Sequence, residues 1–181
     1  MASAVIYATR TVSGNQPAIR RVGEKASQTF LLGVPVQLSG GFVQEWDGVT
    51  IANGIAGFSK EIASNLTASG VAKTPGTRAD VPFEPQAVTI FRGSPLNLGD
   101  IGFESAVDDS IFFGQVGPAQ TTVQADIGAQ YGMTKDADGH WFVDKNKVGA
   151  NAVVKVVELD FNDTSRGVKF VVLYGSQQLS G

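Results

Sequence analysis

Few side chains in this sequence have the type and spacing that catalysis requires. His140 is the one histidine, and there is no cysteine. A zinc centre takes three or four ligands from His, Cys and carboxylates, so a single imidazole without thiolates leaves it short. A Ser-His-Asp triad would have to use His140. The G-x-S-x-G turn that exposes a nucleophilic serine is missing, because Gly57-Phe58-Ser59 and Gly93-Ser94-Pro95 both break the pattern. Asp136-Ala137-Asp138-Gly139 opens like a calcium loop, but the position six residues after the glycine, where a bidentate Glu is needed, is Lys145. The carboxylate pairs Glu45/Asp47 and Asp108/Asp109 lie beside turn residues, where a solvated surface is the simpler reading than the facing acids of a glycosidase. There is no Walker A loop and no G-x-G-x-x-G, and no basic stretch is interleaved with aromatics as a nucleic-acid platform would be. The Asn-x-Thr sites at Asn65 and Asn162 carry meaning only in a secreted chain. The expectation is a non-enzyme with no cofactor and no metal.

Composition sets the frame for whatever positions these residues. The 181 residues suffice for one domain with a core. Charged residues make up 17%, below the usual quarter, and there are 22 glycines. That combination predicts many turns and surface covered by partners. Net charge is −3, too small to argue for nucleic acid or membrane as partner. The charge is uneven: residues 1–25 sum to +3 and the rest to −6. The opening MASAVIYATRTV lacks the apolar core of a signal peptide, and no apolar run approaches 18 residues. A soluble or assembled body made in a cytoplasm is expected.

The elements read as β throughout. Ala4–Val12 is β-prone and is broken by Ser13-Gly14-Asn15-Gln16-Pro17. We read residues 1–28 as an extended arm and 29–181 as a single β-rich body. The competing reading makes Ala4–Val12 an ordinary first strand. A terminal strand without local partners can add to a neighbour's sheet edge, which singles out Ile6, Tyr7, Arg10, Arg20 and Arg21 for partner contact. Thr29–Leu38, Phe42–Trp46, Val49–Ala52 and Gly54–Phe58 form a first predicted meander, with turns at Ser39-Gly40-Gly41 and Asp47-Gly48. Ser59–Phe83 reads as a long irregular loop, with a helical turn conceivable at Ser59–Ala63. Its prolines Pro75 and Pro82, with Pro85 just beyond, mark a second candidate contact region. Ala87–Phe91, Ile101–Phe103 and Ser110–Phe113 are further strands, and Thr122–Ala129 is the best helical candidate, capped by Thr121 or Thr122.

The closing stretch, Gln130 to Tyr174, declares itself most plainly. A hairpin turns at Asp136–Gly139, and Val153–Leu159 and Val168–Tyr174 are strong strands, together predicting a β-meander. Both of these strands carry apolar residues on both faces, which predicts that both faces are covered, by neighbouring subunits in preference to a barrel wall. Val154, Val156, Phe170 and Val172 are assigned to core or trimer packing, and Trp46 and Trp141 to core anchors. The fold class is all-β, an antiparallel β-barrel or β-sandwich with an extended N-terminal arm and long irregular loops.

The runs GVPVQLSGGFVQEWDGVTIANGIAGFS, ADIGAQYGMTKDADGHWFVDK and GVKFVVLY together resemble virion structural proteins of tailed bacteriophages, of the capsid decoration (cement) type. The resemblance spans roughly residues 29–174 and is most specific from Ala125 to Lys145. It implies a small β-barrel or β-sandwich on the capsid exterior, assembled as a homotrimer, with the major capsid protein as partner and terminal arms reaching neighbours. It brings no catalytic residues. The alternative from another class is a tail- or fibre-associated carbohydrate- or receptor-binding module, for which Trp46 and Trp141 are the available tryptophans.

Overall fold

A computed structural model describes residues 5–15, 18–25, 28–48, 54–63, 100–107, 109–160 and 165–179. Eleven strands are described: β1 (Tyr7–Thr11), β2 (Ile19–Gly23), β3 (Pro35–Ser39), β4 (Phe42–Glu45), β5 (Gly57–Ser59), β6 (Asp100–Ser105), β7 (Ser110–Gln115), β8 (Gln130–Lys135), β9 (Trp141–Asp144), β10 (Val154–Leu159) and β11 (Gly167–Val172). They form two antiparallel sheets, ordered β1-β7-β11-β10-β8-β9 and β2-β6-β5-β3-β4. The protein is all-β, and of the two architectures expected it is the sandwich. Val49–Ala52, Pro75, Pro82, Pro85, Ala87–Phe91 and Asp108 lie outside the described residues.

The predicted turns form where glycine permits them. Gly40 and Gly41, at φ 60° and 86°, turn β3 into β4, and Gly139, at φ 93°, closes the β8–β9 hairpin. The core lies between the sheets and is centred on phenylalanines. Phe58 of β5 meets Phe112 of β7 at 4.5 Å and Phe170 of β11 at 5.8 Å between ring centres. All three are completely buried. Val154, Val156 and Val172 are buried with them, as are Trp46 and Trp141, whose rings lie 5.3 Å apart.

Four expectations change. First, the segment read as an arm belongs to the body. β1 pairs with β7 and β2 with β6, so each becomes an edge strand of a different sheet. Its partners lie 77 to 106 residues downstream (Gly23 to Asp100, Tyr7 to Phe113), beyond the reach of local pattern reading. Second, neither predicted meander keeps its order. β9 does not continue into β10; the chain crosses back and β10 pairs with the far side of β8. Likewise β5, expected beside Val49–Ala52 at the end of the first meander, pairs with β3 and β6. Third, residues 124–126 form one 3-10 turn where a longer helix was expected, and no side chain of Thr121 or Thr122 caps it. Ser59 belongs to β5, and no helical turn follows it.

Fourth, the two-faced apolar pattern of Val153–Leu159 has a local cause. Val156 faces Phe170 and Glu158 faces Lys169, leaving Val157 without an opposite residue: a β-bulge. Regular alternation would turn Glu158 inward and Leu159 outward. With the extra residue, Leu159 is buried opposite Val168, and Glu158 takes the Lys169 ammonium at 2.6 Å on the outer face. The outer face therefore carries Lys155, Glu158 and Lys169, and the pattern of this strand no longer calls for a covering subunit.

Two sheet edges are closed by the chain itself. Beyond β4, Glu24 lies beside Val43, and the Lys25 N–H donates to the Val43 carbonyl at 2.8 Å. Beyond β9, Val116 lies beside Val143, and the Gly117 N–H donates to its carbonyl at 3.1 Å. The β1 edge is tied down in part, because the Ala8 N–H donates to the Glu104 carboxylate, which also accepts Lys60 Nζ at 2.9 Å. Among the described strands β2 pairs with β6 alone, and the residues just after it bridge to β4.

If the phenylalanine cluster joins the sheets as described, Phe170→Ala should cost about 3–5 kcal/mol in chemical denaturation. A loss under about 1 kcal/mol would show that the sheets are held elsewhere.

Candidate functional site

The outer face of the β8–β9 hairpin forms the floor of a cleft. Strand pairing sets Gly132 opposite Asp144 and Thr134 opposite Phe142, and the two-residue period puts all four on the side away from the core residues Met133 and Val143. The segment Gly117–Gln120 crosses above this floor. The space between is about 380 Å³, lined also by Asp136 and Asn146.

Asp144 organises one end. Its Oδ1 accepts Gln120 Nε2 at 2.9 Å and the Asn146 N–H at 3.0 Å, and Thr134 bonds to the same carboxylate. Burial pushes its pKa up, but these bonds and the nearby Lys147 charge outweigh burial and hold it below the ordinary carboxylate value. Gln120 is fixed in turn, since its Oε1 accepts the Lys145 N–H at 3.0 Å. Asp136 organises the other end, where its Oδ1 accepts the Asp138 and His140 N–H groups at 3.0 and 2.8 Å. The predicted turn thus stands as a carboxylate-braced hairpin, with the His140 ring 3.6 Å from the same carboxylate. In the middle, Phe142 lies under the Arg166 guanidinium at 5.4 Å from the ring centre.

Asp136 lies opposite His140, so its backbone and that of Asp144 stand four residues apart along the hairpin, roughly 13 Å. Among the described residues no three His, Asp or Glu side chains gather as metal ligands. The arrangement can hold a ligand by hydrogen bonds.

Beside the cleft, Asp126 forms a second polar cluster. It is buried and accepts Tyr131 Oη at 2.7 Å, Lys145 Nζ at 2.9 Å and the Val123 N–H at 2.8 Å. Burial raises its pKa, and the three hydrogen bonds with the Lys145 charge outweigh that and lower it. The Tyr131 phenol is pushed up to about 12 by burial, by its bond to Asp126 and by the Asp126 charge. The cluster pins residues 121–129, leaving Val123 and Ile127 exposed.

The residues chosen for partner contact separate. Ile6 is buried in the core and is corrected to a packing residue. Tyr7 is 45% exposed and stacks on Phe113, with ring centres 5.1 Å apart. Arg10 lies 3.4 Å from Glu158, and Arg21 pairs with Glu61. Arg20 is exposed on β2 beside Ile19, which is 60% exposed. Trp46 and Trp141 are too deeply buried to serve as a ligand platform, and the Trp141 indole N–H donates to Glu45 at 2.8 Å. Pattern reading missed Gln120, Asp126, Tyr131 and Asp144. The hairpin register set by Asp136–Gly139 is the signal that could have put Thr134, Phe142 and Asp144 on one face.

Fold and surface define a two-layer antiparallel sandwich with a cleft of mixed polar and apolar lining and two N-terminal edge strands. Comparison with family models, with curated proteins and with solved structures finds no match.

The polar cluster predicts two pH limits. The Asp126 pKa is depressed by folding, so its contribution is full above the ordinary carboxylate value and is lost as pH falls through the lower folded value. The Tyr131 pKa is raised, so its contribution is full below 10.0 and is lost as pH rises towards 12. Ultraviolet titration should resolve one late-ionising phenol, absent in Tyr131→Phe; a variant that keeps the late step would assign it to another tyrosine.

Proposed function

We propose that this chain is a non-enzymatic capsid decoration protein of a tailed bacteriophage, placed on the outside of the major capsid shell. Homotrimers seat over symmetry junctions and clamp adjacent capsomers. The mechanism is interface burial: a standard contact covers about 1,600 Å², and a trimer repeats it three times, so that the contacts reinforce one another. The reading begins from the sequence resemblance. The observation that supports it is the surface of β1 and β2. Tyr7, Arg10, Ile19 and Arg20 are exposed along two edge strands, so apolar contact, positive charge and an open β edge coincide. Edge strands with free backbone groups accept another chain's strand.

Removing residues 1–28 is a poor test, because it strips an edge strand from each sheet. Arg20→Glu with Arg21→Glu spares the backbone and, among the described residues, disturbs one exposed ion pair, worth about 1 kcal/mol or less. The double variant should keep the wild-type melting midpoint and bind purified particles at least tenfold more weakly, with wild-type binding weakening as salt rises. Undiminished binding would remove β2 from the interface. Independently, quantitative mass spectrometry of virions should count the protein in the hundreds; a handful of copies points to a tail or vertex component instead.

A further inference from the structure

We propose that the cleft between Gly117–Gln120 and the β8–β9 hairpin binds a small neutral polyhydroxylated ligand, of the saccharide class. This stands on the cleft alone and does not depend on the decoration reading. Its volume of about 380 Å³ lies in the lower part of the range for small-molecule sites, about 300–1,000 Å³. Its lining mixes two carboxylates, two carboxamides and a hydroxyl with one aromatic ring. A sugar's hydroxyls can meet these polar groups and its C–H face the exposed Pro118 and Ala119, because Phe142 is buried and lies under Arg166.

Two features favour a ligand over a merely solvated groove. The polar groups are already oriented. Asp144 is held by Gln120, Thr134 and the Asn146 amide, and Gln120 is held by the Lys145 amide, so little side-chain entropy is lost on binding. Capacity also remains. Gln120 Nε2 carries a second hydrogen beyond the one given to Asp144, and the Asn146 carboxamide has no partner among the described residues. The electrostatics select against charge. Arg166, over Phe142, and Lys147, near Asp144, stand outside the lining and offset its negative charge, so a cation gains little. An anion would meet Asp136 and Asp144. A neutral ligand avoids both.

The test titrates the full chain with maltose, lactose and diacetylchitobiose, followed by amide chemical shifts. At least one sugar should shift the amides of residues 117–120, 134 and 142–146. Asn146→Ala keeps the backbone donor to Asp144 and should weaken that sugar about fivefold, the effect of one hydrogen bond. Asn151→Ala, exposed outside the cleft, should leave it unchanged. No shift at high millimolar sugar, or equal binding by Asn146→Ala, overturns the proposal. So does a response of the same amides to putrescine and not to sugars, which would make the cleft a cation site. Particle binding is read separately, so either result leaves the decoration reading to its own test.

Discussion

The packing of Phe58 against Phe112 and Phe170 is the contact on which the rest of the structure depends. One ring comes from the five-stranded sheet and two from the six-stranded sheet, so the cluster joins the layers. A sheet of this size cannot bury its apolar face alone. The polar tie of Glu104 to the Ala8 amide and to Lys60 works at the margin of the same junction, where the sheets meet at β1. An apolar centre with one satisfied carboxylate at its side is a stable division of labour, because a buried acid is tolerated only where donors reach it.

What could be read in advance was local. Gly40-Gly41 and Asp136–Gly139 announced their turns, and the apolar runs announced most of the strands. Order within the sheets was not legible, since β1 and β2 find partners only at β7 and β6. Val157 shows a subtler limit. Strand periodicity assumes one residue per opposite residue, and a bulge breaks that count without any marker in the sequence. Two adjacent valines could as well have meant two buried faces.

The cleft was half legible. Its floor follows from the hairpin register, which places Thr134, Phe142 and Asp144 together. Its roof does not, because Gln120 reaches Asp144 from a loop whose path no periodicity predicts. The Asp126–Tyr131–Lys145 cluster is similar. Its members lie within twenty residues of each other, yet they meet only because the chain turns at Gly128 and again at Gly139.

The long-range pairing of the first strand has a temporal consequence. Ala8 and its Glu104 partner are 96 residues apart. Synthesis at roughly 5–20 residues per second leaves β1 waiting some five to twenty seconds before β6 and β7 leave the ribosome. Throughout that interval a β-prone, partly apolar strand stands unpaired, beside others in the same condition. Contacts this distant also slow folding after release, because loop closure must precede any gain from pairing. The nascent chain is thus most exposed to wrong partners at its first strand, well before the phenylalanines that hold the finished sandwich can meet.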